Sequence, residues 1–235
     1  MIQWQGYDWL TNERWGQVHP DKPVSWYDPS AVSIDEDGYL RLKTKQNPKE
    51  FIINDEKVVV PIGVGLLSCT TQFGHGKFEI EAKLPDGPYL WPAFWMWSFE
   101  SWPPEIDVFE GYTNKRSSYF NFNLELLIGR FWRVASNIHL GKTPDNYNLK
   151  AKNHWLGFKQ PSKKFNKYGV IWQEDKIEIF FNDRCVRRIT DEKSLQQFRG
   201  HKMNVIINNG IQTEHIDTDK PESEMIVKWF KYSIL

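Results

Sequence analysis

Glu105-Ile106-Asp107-Val108-Phe109-Glu110 carries three acids within six residues, at the end of the most aromatic stretch of the chain. Alternate residues of a β-strand share a face, so Glu105 and Asp107 point one way while Ile106 and Val108 point the other. Glu110 then has the wrong parity. One extra residue, inserted as a β-bulge around Val108-Phe109, returns it to the face of the first two acids. An exposed edge strand can carry acids for solubility, but Ile106, Val108 and Phe109 alternate as a buried strand should. Carboxylates crowded on one surface repel and raise one another's pKa values, which is a cost without purpose in a purely structural strand.

Outward from this hexapeptide, short apolar or alternating runs recur between Gly, Pro, Asn and Asp. The pattern predicts strands over residues 32–34, 39–43, 57–60, 65–72, 77–84, 90–98 and 105–111. Further strands are predicted over 119–127, 136–140, 168–173, 176–182, 185–190, 202–208 and 225–233. Glu174-Asp175 and Asn182-Asp183 read as hairpin turns. Only residues 191–199 read as helix, with Asp191 as its cap. Residues 141–164 are polar and read as the longest loop, a candidate wall for a cleft. Many short strands with regular turn signals argue for an all-β sandwich or barrel, and no repeat or linker divides residues 1–235, so a single domain is expected.

The 30 basic and 30 acidic side chains cancel, leaving no electrostatic footprint for nucleic acid or an anionic membrane surface. The longest apolar stretch, residues 89–99, contains Pro92 and is too short to cross a bilayer. Met1-Ile2-Gln3-Trp4 does not open a signal peptide. Cys69 and Cys185 fit no metal-ligand spacing and are expected to be free thiols. Twelve tryptophans are many for 235 residues, and aromatic side chains commonly line ligand clefts. Trp97 and Trp172 are expected mainly in the core.

Paired carboxyl groups flanking a bond are what glycoside hydrolysis needs: roughly 5–5.5 Å apart in retaining enzymes and roughly 6.5–9.5 Å in inverting ones. With the bulge, Glu105 and Glu110 are about four strand steps apart, roughly 13 Å between Cα atoms. Two glutamate side chains leaning together can close most of that gap, so the retaining geometry is within reach.

At these residues the chain resembles glycoside hydrolase family 16, whose signature E-x-D-x-x-E is matched by Glu105, Asp107 and Glu110. The stretches 76–85 and 90–95 resemble the family's consecutive strands, and 165–172 and 229–232 its later ones. The resemblance implies a concanavalin A-like β-jelly-roll of two curved antiparallel sheets with an open cleft. It implies Glu105 as nucleophile, Asp107 as its assistant and Glu110 as general acid/base, with Trp91, Trp95 and Trp102 lining the cleft and His139 on a neighbouring strand. The six-residue motif matches the bulged branch of the family rather than the licheninase branch, which uses E-x-D-x-E. Asn166 stands where the family usually has His, the glycine pair expected after Asn209 is missing, and residues 124–134 have no family counterpart.

The expected activity is therefore retaining, endo-acting hydrolysis of a β-linked polysaccharide by a monomer outside the cell. A β-1,3- or mixed-linked glucan is the first expectation. A red-algal galactan, for which Arg130 and Arg133 offer cations, is the second. A transglycosylase would use the same three acids, whereas a lectin-like sugar-binding module would not need both Glu105 and Glu110. No cofactor is required, and no metal ligands are assigned. A structural calcium ion occurs in many relatives, yet the chain shows no concentrated oxygen-ligand motif.

Overall fold

The computed structural model describes residues 1–19, 23–85, 90–111, 133–155, 161–211 and 223–235. Strands are numbered in chain order. One sheet runs β1 (Ile2–Trp4), β2 (Tyr7–Leu10), β7 (Leu66–Cys69), β16 (Met203–Ile211), β9 (Leu90–Ser98), β10 (Glu105–Gly111), β11 (Arg133–Thr143), β12 (Asn146–Trp155). The other runs β15 (Arg184–Ile189), β14 (Ile177–Phe181), β13 (Asn166–Trp172), β8 (Gly76–Lys83), β17 (Ser223–Ser233), β5 (Leu40–Ile53), β6 (Glu56–Val64), β3 (Trp26–Tyr27), with β4 (Val32–Ile34) also on β5. Among the described strands all pairs are antiparallel except the short edge strand β3, which runs parallel to β6.

The two sheets face each other across one large apolar core. β8 shows why: Gly76-Lys77-Phe78-Glu79-Ile80-Glu81-Ala82-Lys83 buries every second residue, which puts Phe78, Ile80 and Ala82 into that core. From the opposite sheet come Phe94, Met96, Ile106, Val108, Phe109, Val205 and Ile207. Each large apolar side chain withdrawn from water contributes about 1.5–3 kcal/mol. That gain decides which face of β9, β10 and β16 turns inward, and it leaves the intervening residues, the acids included, on the outer face.

Turn chemistry agrees with the local sequence. Asn182 and Asp183 sit at φ 47° and 65°, the left-handed pair a two-residue hairpin turn of the primed type needs. Gln173 N–H bonds Lys176 C=O across Glu174-Asp175. The expected helix is short: α1 (Glu192–Leu195) followed by one 3-10 turn (Gln196–Phe198), with Asp191 accepting from Ser194 N–H at 3.1 Å. Cys69 and Cys185 lie in different sheets and are free thiols, and Trp172 is core.

One expectation is overturned and two strands are added. Residues 141–164 do not form one long loop, because β11 continues to Thr143 and β12 occupies Asn146–Trp155. β12 is an edge strand with nearly every described side chain exposed, so no apolar alternation marks it. The strands at Ile2–Trp4 and Tyr7–Leu10 are too short to show a period, yet they bring Trp4 and Trp9 into the core. The strand expected over 119–127 lies outside the described residues.

Candidate active site

β10 does contain the inserted residue. Asp107 pairs with Trp95 on β9 and Phe109 with Phe94, so Val108 is extra on that side; on β11 the register slips between Asp107 and Glu110. Val108 and Phe109 are both buried in the core, at 3% and 1% exposure. Two consecutive residues thus turn inward, and Glu110 emerges on the outer face with Glu105 and Asp107.

Register builds rows across this face. Asn204, Trp97, Glu105, His139 and Leu149 form one row, Ile206, Trp95, Asp107, Asn137 and Ala151 the next, and Asn208, Ala93, Glu110 and Ala135 a third. Each acid has named partners. Trp102 Nε1 donates to Glu105 Oε2 at 2.7 Å. Trp91 Nε1 donates to Glu110 Oε1 at 2.9 Å, and the Asn137 side-chain amide donates to Glu110 Oε2. His139 Nε2 lies 3.2 Å from Asp107 Oδ2 and 3.3 Å from Glu105 Oε1. The opposite ring nitrogen of His139 is buried without a hydrogen-bond partner. Trp95 Nε1 is held by Asn208 Oδ1 at 2.8 Å.

The carboxyl of Glu105 is pushed well up, first by burial and then by the charge of Asp107, while Trp102 and His139 pull it down. Asp107 is also held well above the usual carboxylate range by burial and by the charge of Glu110. Glu105 and Asp107 are hydrogen-bonded to each other, which requires one of them to carry a proton. Their accessibility differs: the Glu105 side chain is 14% exposed and that of Asp107 only 2%. A nucleophile must reach an incoming atom, and only Glu105 of this pair can.

All seven sequence-derived site residues therefore gather on one face: Glu105, Asp107, Glu110, Trp91, Trp95, Trp102 and His139. Trp97 is buried as expected, but on this outer face, beneath the Arg14 guanidinium. Sequence reasoning missed Asn137, although its place two residues before His139 puts it on the same face. It also missed Tyr147 on β12 and Glu13. Arg130 and the side chain of Arg133 lie outside the described residues. Glu105, Asp107 and His139 bring one donor atom each within 4.8 Å of one another. No step below uses a cation.

Comparison with known proteins bears on this geometry. The profile of Glycosyl hydrolases family 16 matches residues 22–231. The endo-1,3-1,4-beta-glycanase EglC of Rhizobium meliloti (strain 1021) is 25% identical over 199 residues, covering 79% of this chain and 38% of that protein. A glucan endo-1,3-beta-glucosidase of Cryptopygus antarcticus is 30% identical over 119 residues, covering 47% of this chain and 37% of its own length. The chain thus spans less than two fifths of either protein. Among solved structures, LamAcat from Zobellia galactanivorans superposes with a TM-score of 0.70 at 15% identity, over 96% of this chain and 89% of that one, and supports the sandwich fold.

Proposed function

Since this chain belongs to glycosyl hydrolases family 16, we propose that it is a retaining, endo-acting hydrolase of a β-linked polysaccharide, with a β-1,3- or mixed β-1,3-1,4-glucan as substrate. The observation that carries this reading is the bulge after Asp107, which leaves Glu105 and Glu110 on one face with an indole N–H on each. A binding module would need the aromatic side chains but not two separately held glutamates.

In the first step Glu110 gives its proton to the glycosidic oxygen while a Glu105 oxygen attacks the anomeric carbon. The C–O bond breaks, the shortened chain leaves, and a glycosyl ester remains on Glu105. Glu110, now a carboxylate, takes a proton from water. The water oxygen attacks the same carbon, expels Glu105, and the second inversion restores the β-configuration. The buried pair shares one proton, and its passage from Glu105 to Asp107 leaves Glu105 a carboxylate when it attacks. The support is the pair's hydrogen bond and the near-complete burial of Asp107. Trp91 and Asn137 orient Glu110, while Trp102 and His139 orient Glu105.

The glucan preference draws on the activities of the relatives named above. It also draws on the described surroundings of the acids, which are aromatic rings and amides suited to neutral hydroxyl-bearing sugars. A polymer of this kind is met outside the cell, and one chain carries all the residues invoked. A reducing-sugar assay over laminarin, lichenan, agarose, porphyran and carrageenan tests the substrate, with release expected from the first two. An NMR time course tests the stereochemistry: β-anomer should appear first, and early α-anomer would sink the mechanism.

A further inference from the structure

The β11–β12 hairpin carries an apolar surface that the reaction above does not use. Its register sets Leu149 opposite His139 and Tyr147 opposite Gly141. His139 stands on the acid face, so Leu149 shares that face, and so does Tyr147 two residues before it. Gly141 has φ +141°, and a Cβ there would fall 2.3 Å from the Asn146 carbonyl oxygen and 2.6 Å from the Tyr147 Cα. Only glycine lets the hairpin bring Tyr147 this close.

Tyr147 is 48% exposed and Leu149 46%, more than Trp91, Trp95 and Trp102 beside the acids, which are half-buried. The Tyr147 ring is nonetheless anchored. Its centroid lies 5.1 Å from that of Trp102 and 5.9 Å from that of His139, whose plane is inclined by only 22°. Trp102 and His139 are the groups that contact Glu105, so the exposed part of Tyr147 is fixed relative to the nucleophile. Among the described residues the opposite flank is built differently. There the Arg14 guanidinium covers the Trp97 ring at 3.8 Å, and Trp15 packs edge-on against it at 5.4 Å.

We propose that Tyr147 and Leu149 form a stacking subsite for a neutral β-linked hexose unit, on the β12 side of the bond that is cleaved. Pyranose rings present C–H faces that pack on a phenol ring while their hydroxyls stay in water, and a rigid amphipathic ring loses little freedom in doing so. The subsite rests on the glycan-cleaving reading above and adds to it a stacking platform on the hairpin side of the acids.

The test is kcat/KM for Tyr147→Ala and Tyr147→Phe on oligosaccharides of increasing length, taken from whichever polymer the wild type cleaves. Tyr147→Ala should lose about tenfold on long substrates, stay near wild type on the shortest one cleaved, and keep the wild-type pH profile; Tyr147→Phe should stay within about twofold throughout. Equal loss at every length with a displaced pH profile would mean that Tyr147 only buttresses Trp102 and His139, and the subsite falls. No loss at any length overturns it too. Leu149→Asp, a change at an exposed position, provides the second variant, and calorimetric binding of the same oligosaccharides to Glu105→Gln should weaken only for long ligands when Leu149→Asp is added. If the polymer cleaved is a galactan, length dependence keeps the subsite while the glucan preference falls. If no polymer is cleaved or bound, both fall.

Discussion

Glu105 and Glu13 are two glutamates whose carboxyls burial pushes up, and they differ in everything else that matters to chemistry. Glu105 lies in a row of partners, hydrogen-bonded by Trp102, facing His139 and sharing a proton with Asp107. Its side chain keeps 14% of its surface accessible. Glu13 comes from an irregular segment beside Arg14 and Trp15, is 2% exposed, and leaves its Oε1 without a hydrogen-bond partner. Burial, opposed mainly by a hydrogen bond with Ser68, raises its carboxyl to about 8. A raised pKa alone therefore does not mark a catalytic acid. Accessible surface and a partner able to hold the proton separate the two.

The sharpest way to break this contrast is to neutralise each in turn. Glu105→Gln should lower kcat by at least about a thousandfold while leaving oligosaccharide affinity intact. Glu13→Gln should leave kcat within about twofold, and a large loss there would erase the distinction. Its effect belongs to stability. With a folded value about 8 and an ordinary unfolded one, Glu13 keeps its proton on folding, so its contribution is fully present below about pH 4.5 and is lost as pH rises through 8. Over that window the wild type should lose about 4 kcal/mol that Glu13→Gln retains. Thermal melts at pH 5 and pH 8.5 check this: the variant's advantage should appear only at the higher pH.

The same contrast explains what could be read without the structure. The acid face was legible because the hexapeptide carries its own register: Ile106, Val108 and Phe109 must be buried, and only a bulge reconciles them with Glu110. The core strands were legible where one face is dry, as in Gly76–Lys83. Glu13 was not legible, since a single acid in an irregular segment has no period from which its burial could be inferred. Tyr147 was hidden for a related reason. A β12 that is exposed on nearly every described side chain carries no apolar alternation, so its polar composition looks like a loop. Asn137 could have been found by counting back two residues from His139.

Smaller effects test which neighbours tune Glu105. The charge of Asp107 raises the Glu105 carboxyl, so Asp107→Asn should move the acid limb of kcat/KM to lower pH by about one unit. It should also cost about a hundredfold in kcat, because the shared proton loses its second seat. The indole N–H of Trp102 acts in the opposite sense, stabilising the Glu105 carboxylate through a 2.7 Å hydrogen bond. Trp102→Phe keeps a ring against His139 and Tyr147 but removes that donor. The nucleophile should then ionise at higher pH, moving the acid limb upward by a few tenths of a unit and lowering kcat about fivefold. The two variants displace the same limb in opposite directions, which a general loosening of the site would not do. A pH–rate profile in which both move the same way would remove Glu105 from the role of ionising nucleophile.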